Sequence, residues 1–308
     1  MKISISAGEI CAGYSPEALF NAYQDSGFRH FEWNLGSYFP RKEYSEADVW
    51  KKVDEAEAAT KKRGFDLLSA HAPYHYNPCI NEENFQLQVR DSLLAIRACG
   101  KLGVDRLVVH AGYGFSENYD EMLKKNVRYY AALLPEAEKQ NVSLLIENIS
   151  EEVYKQKLVI EYADNILELR RRLGDHPLIG ACWDTGHANT KRMDQYPEIV
   201  KLEGILKGTH IQDNNGINDD HMAPLTGCVD FDEVLSALVK INYDGPFNLE
   251  TSIFKYGDTW PNYRGRQTKE IHSDHRIFSP DDALSRYSAG VMYHIAAYML
   301  EKYELEIE

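Results

Sequence analysis

Three carboxylates and one imidazole stand at the ends of four apolar runs in this chain. SLLIEN carries Glu147, IGACWDTGH carries Asp184, LKGTHIQD carries His210 and FNLET carries Glu250. Three hard oxygen donors and one nitrogen suit a divalent cation, and the imidazole tilts the set towards a transition metal. Mn2+ or Zn2+ is the expected ion, with Mg2+ and Co2+ also compatible. An Asp or Glu closing an apolar strand is costly to bury unless it is partnered or bound to metal. Four such endings together therefore point to one metal site, with Glu147, Asp184, His210 and Glu250 as its ligands.

Further candidates sit close to the same strand ends. His187 lies three residues after Asp184 in Asp-Thr-Gly-His and can reach the same place from the loop. His71 ends the run Ser-Ala-His-Ala-Pro, and His110 ends Val-Val-His-Ala-Gly. Asp219 and His221 form an Asp-x-His pair after the His210 run. A single histidine is usually a hydrogen-bonded structural residue, but the shared placement makes these five substrate contacts or additional metal ligands. His30 and His176 lack that placement and are read as ordinary. Trp33, Tyr74, Tyr113 and Trp183 could stack on a sugar ring, although core packing is the default for an aromatic.

Positioning such residues requires a scaffold that gathers strand ends. Strand-like runs occur at 2–8, 29–34, 66–72, 106–111, 143–149, 178–184, 206–212 and 246–251. Amphipathic segments lie between them. Ser15-Pro16 opens the first with Pro at the N1 position. Asp230 followed by Glu233 reads as a capping box. Ser279-Pro280-Asp281-Asp282 opens the last helix, along which Leu284, Tyr287, Val291, Ile295 and Tyr298 keep a helical stripe. Eight alternations of this kind predict an α/β fold, a (β/α)8 TIM barrel forming a single domain over 1–308, whose chemistry would collect at the carboxyl ends of the strands. An open doubly wound sheet is the alternative, but no glycine-rich phosphate loop follows the first strand. The segment 252–280 after the eighth strand is longer than an ordinary loop and would serve as a lid or a subunit contact.

The chain has 308 residues, 44% hydrophobic and 27% charged, which is the composition of a soluble globular protein. Its formal charge of −14 disfavours a general nucleic-acid binder. No apolar run approaches the roughly 18 residues of a membrane span, and nothing resembles a signal peptide. Five cysteines, odd in number and without a CxxC pair, argue for reduced thiols and a cytoplasmic setting. Cys182, inside a strand-like run, reads as a small buried hydrophobe.

The order of Ile-Glu-Asn (146–148), Trp-Asp-Thr-Gly-His (183–187), Thr-His-Ile-Gln-Asp (209–213), Gly-Cys-Val-Asp-Phe (227–231) and Phe-Asn-Leu-Glu (247–250) resembles the xylose isomerase-like barrel superfamily. The resemblance covers essentially the whole chain. That superfamily includes sugar isomerases, ketose 3-epimerases and, more distantly, endonuclease IV. In the epimerase-like members the residues matching Glu147, Asp184, His210 and Glu250 hold one divalent ion, the two glutamates also move protons, and the match to His187 contacts substrate oxygens. In endonuclease IV a larger set, matching His71, His110, Glu147, Asp184, His187, His210, Asp219, His221 and Glu250, holds three zinc ions. This chain departs from the epimerases at Gly216, where an arginine is usual, and from the endonuclease in its opening Ile-Ser-Ala-Gly-Glu and its His-Phe-Glu-Trp-Asn second strand.

What the resemblance implies is a divalent-metal-dependent isomerase or epimerase of a sugar or sugar phosphate. It would act by proton transfer through a metal-stabilised enediolate, with Glu147 and Glu250 as the catalytic pair. The alternatives are an endonuclease IV-like trinuclear zinc phosphodiesterase at abasic DNA, or a metal-dependent lyase on an oxidised sugar or glycoside. The expected partners are a small carbohydrate and further copies of the chain; a membrane is not expected, and nucleic acid is disfavoured.

Overall fold

The computed structural model describes residues 1–7, 15–38, 45–114, 118–151, 159–251 and 282–308. Eight parallel strands close into a barrel in sequence order: β1 (Ile3–Ala7), β2 (His30–Asn34), β3 (Asp66–His71), β4 (Arg106–Val109), β5 (Ser143–Glu147), β6 (Ile179–Asp184), β7 (Leu206–Ile211) and β8 (Phe247–Leu249). All eight fall within the runs read from the sequence. The segment 252–280, the residues Ser279 to Asp281 ahead of the last helix, and Cys11 lie outside the described residues.

The helices between the strands begin and end where local chemistry requires. Ser15 accepts a hydrogen bond from the Ala18 amide to open α1 (Pro16–Asn21). Ser45 does the same for α2 (Glu46–Arg63), which stops at Gly64 in the left-handed conformation that glycine adopts readily. Asp230 caps the helix Phe231–Lys240 through the Asp232 and Glu233 amides. The reciprocal half of a capping box is not formed there. The Glu233 carboxylate instead accepts from the Gln195 amide at 3.0 Å and ties two helices together.

The last helix, Asp282–Lys302, corrects another expectation. Leu284, Tyr287, Val291 and Tyr298 of its apolar stripe are exposed, and Ile295 is only partly buried. The buried side carries Ser285, Ser288, Ala289, Met292, Ala296 and Met299. That side, which also buries Leu300, is the one packed against the rest of the protein, rather than the stripe of larger apolar residues.

Strand alternation divides the barrel into two surfaces. Phe31, Trp33, Leu107, Val109, Leu144, Ile146, Ala181, Trp183, Ile211, Phe247 and Leu249 turn outwards and pack in one buried cluster with the helices. The alternate residues turn into the barrel. On the β4–β6 side these are Val108, Leu145 and Cys182, a small separate apolar cluster. A Cβ at Gly208 would come within 3.0 Å of Leu145 Cδ1, so glycine there makes room for that leucine. On the β1–β3 and β8 side the interior is polar, with Ser4, Ser6, Glu32, Ser69 and Asn248 all buried.

Candidate active site

The same alternation that buries Leu145 and Cys182 brings Glu147 and Asp184 one layer higher, at the carboxyl ends of β5 and β6. His210 is the penultimate residue of β7 and is paired in register with Asp184 on one side and Asn248 on the other. Glu250 follows β8 directly, its amide donating to the Ile211 carbonyl at 3.1 Å. One ligand atom from each of Glu147, Asp184, His210 and Glu250 lies within 4.8 Å of every other, and all four residues are buried. His210 Nδ1 stands 2.9 Å from Glu147 Oε1, 3.0 Å from Glu250 Oε2 and 4.0 Å from Asp184 Oδ2.

A second group gathers on the other oxygen of Glu147. Its Oε2 lies 2.8 Å from His110 Nε2 and 3.4 Å from His71 Nε2, yet it has no directed hydrogen bond from either and is buried. The two imidazoles meet at 3.0 Å between their Nε2 atoms, and Tyr74 packs on the His110 ring at 5.2 Å. His71, His110 and Glu147 also bring one donor each to within 4.8 Å of one another.

His187, Asp219 and His221 reach the same mouth but do not close into such a set. Asp219 Oδ2 is 3.6 Å from His187 Nε2 and 3.1 Å from His221 Nε2. A residue that the sequence reading passed over intervenes. The Gln212 amide donates to Asp219 Oδ1 at 2.6 Å and to both oxygens of Asp184 at 3.3 Å, so it joins the two carboxylates. Its parity in Thr-His-Ile-Gln-Asp, two residues beyond His210, was the available signal.

Buried charge governs the electrostatics. Burial pushes the Asp184 carboxyl up to about 7; the charges of Glu147, Glu250 and Asp219 add to that, and His187 opposes it. Burial would raise Glu250 too, but His210 and His221 hold it down to about 2. Burial would depress His71, and its contact with Glu147 instead lifts it to about 9. Burial likewise works against a charged His210, yet the acidic groups around it, Cys182, Glu250, Glu147 and Glu32, lift it well above the ordinary histidine range. Protonated imidazoles thus supply the positive charge that these carboxylates demand. A divalent cation can take over that role, and Glu147 Oε2, which accepts no directed hydrogen bond among the described residues, fits one together with the oxygen-rich donor set.

Several ring orientations are fixed from outside the mouth. The Nδ1 atoms of His71, His187 and His221 face the carbonyls of Ala72, Asn148 and Glu250 at 2.9, 2.9 and 2.8 Å. Each thereby turns Nε2 inwards. Asn148 also brackets Asp184, accepting from its amide at 2.7 Å and donating to its carbonyl at 2.9 Å.

Two expected stacking platforms are not in the mouth. Trp33 and Trp183 have no exposed surface, because each lies one residue from an inward-facing acid and therefore points into the helix layer. Trp183 donates its indole N–H to Gln195 at 3.0 Å. Tyr74 and Tyr113 remain partly exposed near the rim. His30 and His176 contact Asp66 and Glu138 away from the site. Gly216, standing where an arginine was expected by resemblance, has φ +74 and a Cβ there would meet Cys228 Sγ at 3.3 Å. That backbone favours glycine and explains the absence of a long side chain. Arg41, Lys42, Arg264 and Arg266, basic residues that could contact a phosphate although solvated surface charge is the default, lie outside the described residues.

Known proteins share this arrangement of strands and helices. Over 262 residues the chain is 25% identical to the uncharacterized protein y4fM of Sinorhizobium fredii, covering 76% of this chain and 80% of that one. It is 27% identical over 229 residues to a probable endonuclease 4 of Ureaplasma parvum, covering 67% and 73%. Among solved structures, a D-tagatose 3-epimerase-like protein superposes with a TM-score of 0.75 at 22% identity, covering 99% of this chain and 98% of that one. The family described as xylose isomerase-like TIM barrel matches residues 20–270, and the chain belongs to that family.

Proposed function

We propose that this chain is a divalent-metal-dependent isomerase or epimerase of a sugar or sugar phosphate. The observation that carries the reading is the closure of Glu147, Asp184, His210 and Glu250 to within 4.8 Å at the ends of four strands. Two of the four donors are glutamates arriving from non-adjacent strands, β5 and β8. Two carboxylates at one carbon can take a proton from one side and return it from another. The D-tagatose 3-epimerase-like protein with the same fold adds weight to a carbohydrate substrate.

When bound, the ion supplies positive charge beside the substrate carbonyl oxygen, lowering the cost of taking a proton from the neighbouring carbon. The protein residues do the rest. One of Glu147 and Glu250 accepts the C–H proton on a carboxylate oxygen; the other, which must enter the step protonated, donates its proton to the opposite face, giving an epimer, whereas delivery of the proton to the adjacent carbon gives an isomer. Each general acid–base contribution is worth about 10²–10⁴ in rate. His187, with its ring held by the Asn148 carbonyl and its Nε2 turned inwards, contacts substrate oxygens. Accordingly, His187→Ala should raise KM by roughly tenfold while kcat falls less, as loss of ground-state and transition-state binding together predicts. Steady-state kinetics at saturating Mn2+ checks this; an unchanged KM contradicts it.

The defining test screens ketoses, aldoses and their phosphates in heavy water with Mn2+ added, following proton–deuterium exchange by NMR. Exchange at one carbon names the substrate and separates epimerisation from isomerisation. Absence of exchange across the panel overturns the proposal.

A second reading, phosphodiester hydrolysis at abasic DNA, draws on His71 and His110 around Glu147 Oε2 and on the endonuclease 4 relative. Against it stands Gln212, hydrogen-bonded between Asp184 and Asp219 where a further ion would need those oxygens. Metal analysis separates the two: about one ion per chain supports the sugar enzyme, about three zinc ions with cleavage of an abasic duplex supports the hydrolase.

A further inference from the structure

Glu32 is an acid inside the barrel that neither the sequence motifs nor the proposed reaction uses. It sits mid-strand in β2, paired in register with Ser6 and Ser69, and is 2% exposed. Its Oε1 accepts from Ser6 Oγ at 2.8 Å and Asn248 Nδ2 at 3.3 Å, and its Oε2 accepts from Ser69 Oγ at 2.9 Å. Glu32 also meets His210, whose Nε2 lies 3.1 Å from Oε1 and 3.3 Å from Oε2.

This orientation is the reverse of the one found at His71, His187 and His221. Those rings tie Nδ1 to a backbone carbonyl and present Nε2 to the mouth. His210 ties Nε2 to a carboxylate and presents Nδ1 to Glu147 and Glu250. Once the ring gives up one proton to an incoming ion, a carboxylate facing Nε2 keeps the remaining proton on that nitrogen, which leaves the Nδ1 lone pair aimed at the cluster. Serine and asparagine donors in turn hold the carboxylate, so the ring cannot swing without breaking a buried network.

We infer that Glu32 is a positioning residue that fixes the tautomer and orientation of His210 for ion binding. The inference rests on reading the four-residue cluster as an ion site. An outer carboxylate on a metal-bound imidazole generally contributes about 10–100-fold in affinity. A carboxylate does more here than the carbonyls behind the other histidines, since it also makes the imidazole a stronger donor.

The test compares wild type, Glu32→Gln and Glu32→Ala, measuring Mn2+ dissociation constants by the EPR signal of free ion. In parallel, Zn2+-loaded protein with 15N-labelled histidine reports the His210 ring nitrogens and the exchange rate of the Nε2 proton. Glu32→Ala should bind Mn2+ about 10–100-fold more weakly, with the Nε2 proton exchanging faster. Glu32→Gln, which keeps an acceptor but loses the charge, should fall between the two. A merely structural role would lower thermal stability and leave the affinity and the ring nitrogens of the folded fraction unchanged, and that result overturns the inference. Should Glu32→Ala fail to fold, the nearly isosteric Glu32→Gln carries the comparison alone. If wild type itself binds neither ion, the ion-site reading falls; if wild type binds and both variants match it, only the role of Glu32 falls.

Discussion

Glu147→Gln and Glu250→Gln should each lower kcat by about 10²–10⁴ or more, because a glutamine amide can neither take up nor deliver the transferred proton. Both substitutions keep side-chain volume and one oxygen, so the fold should persist. The effect on kcat must be read with the ion bound, since both residues are also proposed ligands. Metal content is therefore measured on the same samples. Exchange of substrate hydrogen with solvent adds resolution. A variant that still washes deuterium into substrate but makes no product has lost the returning acid and kept the base. Near-normal turnover in either variant with its ion retained contradicts the assignment.

Removal of the ion should be the second large effect. Treatment with a chelator is expected to abolish activity, and added Mn2+ should restore it. At an ion concentration about a thousandfold above its dissociation constant, linkage contributes roughly 4 kcal/mol, which for a chain of this length corresponds to a Tm loss of about 6 °C. The affinity should also depend on pH with a definite sign. In the ion-free protein burial lifts the Asp184 carboxyl to about 7, and the acids around His210 lift its imidazole well above the ordinary histidine range. Ligands must lose these protons before they coordinate, so uptake releases protons and affinity rises with pH. Titration calorimetry in buffers of different ionisation enthalpy measures the number released. Ion binding without proton release, or a Tm indifferent to chelator, would contradict the site.

The strands were legible because each is a short, mostly apolar run separated from the next by an amphipathic stretch, and the site was legible because Glu147, Asp184, His210 and Glu250 stand at or just beside the ends of four of them. Residues whose role depends on which side of the strand they occupy were harder. Trp33 and Trp183 read as candidates for the mouth because they neighbour inward positions, yet one residue of offset sends them into the core. Glu32 sits in His-Phe-Glu-Trp-Asn between two aromatics, and its partners Ser6, Ser69 and Asn248 come from three other strands, so its significance emerges only once the barrel closes. Gln212 similarly gains its role from Asp219, which a loop returns to Asp184. On the last helix, the larger apolar side chains misled. The buried face mixes Ser285, Ser288, Ala289 and Ala296 with Met292, Met299 and Leu300, so ranking positions by apolar size picked the wrong side.

The division of the barrel into inward and outward surfaces has a consequence for how this protein tolerates change in length. Removing one residue from β6 ahead of Asp184 would rotate the remainder of that strand by half a repeat. It would swing the carboxylate into the apolar layer and drive the Trp183 indole into the lumen, where Leu145 already fills the space. Two faults would arise from one codon. Insertions into the segments that lead from helices into strands, away from the mouth, carry no such penalty. Changes in length should therefore be accommodated in the helix-to-strand connections, with strand lengths held invariant.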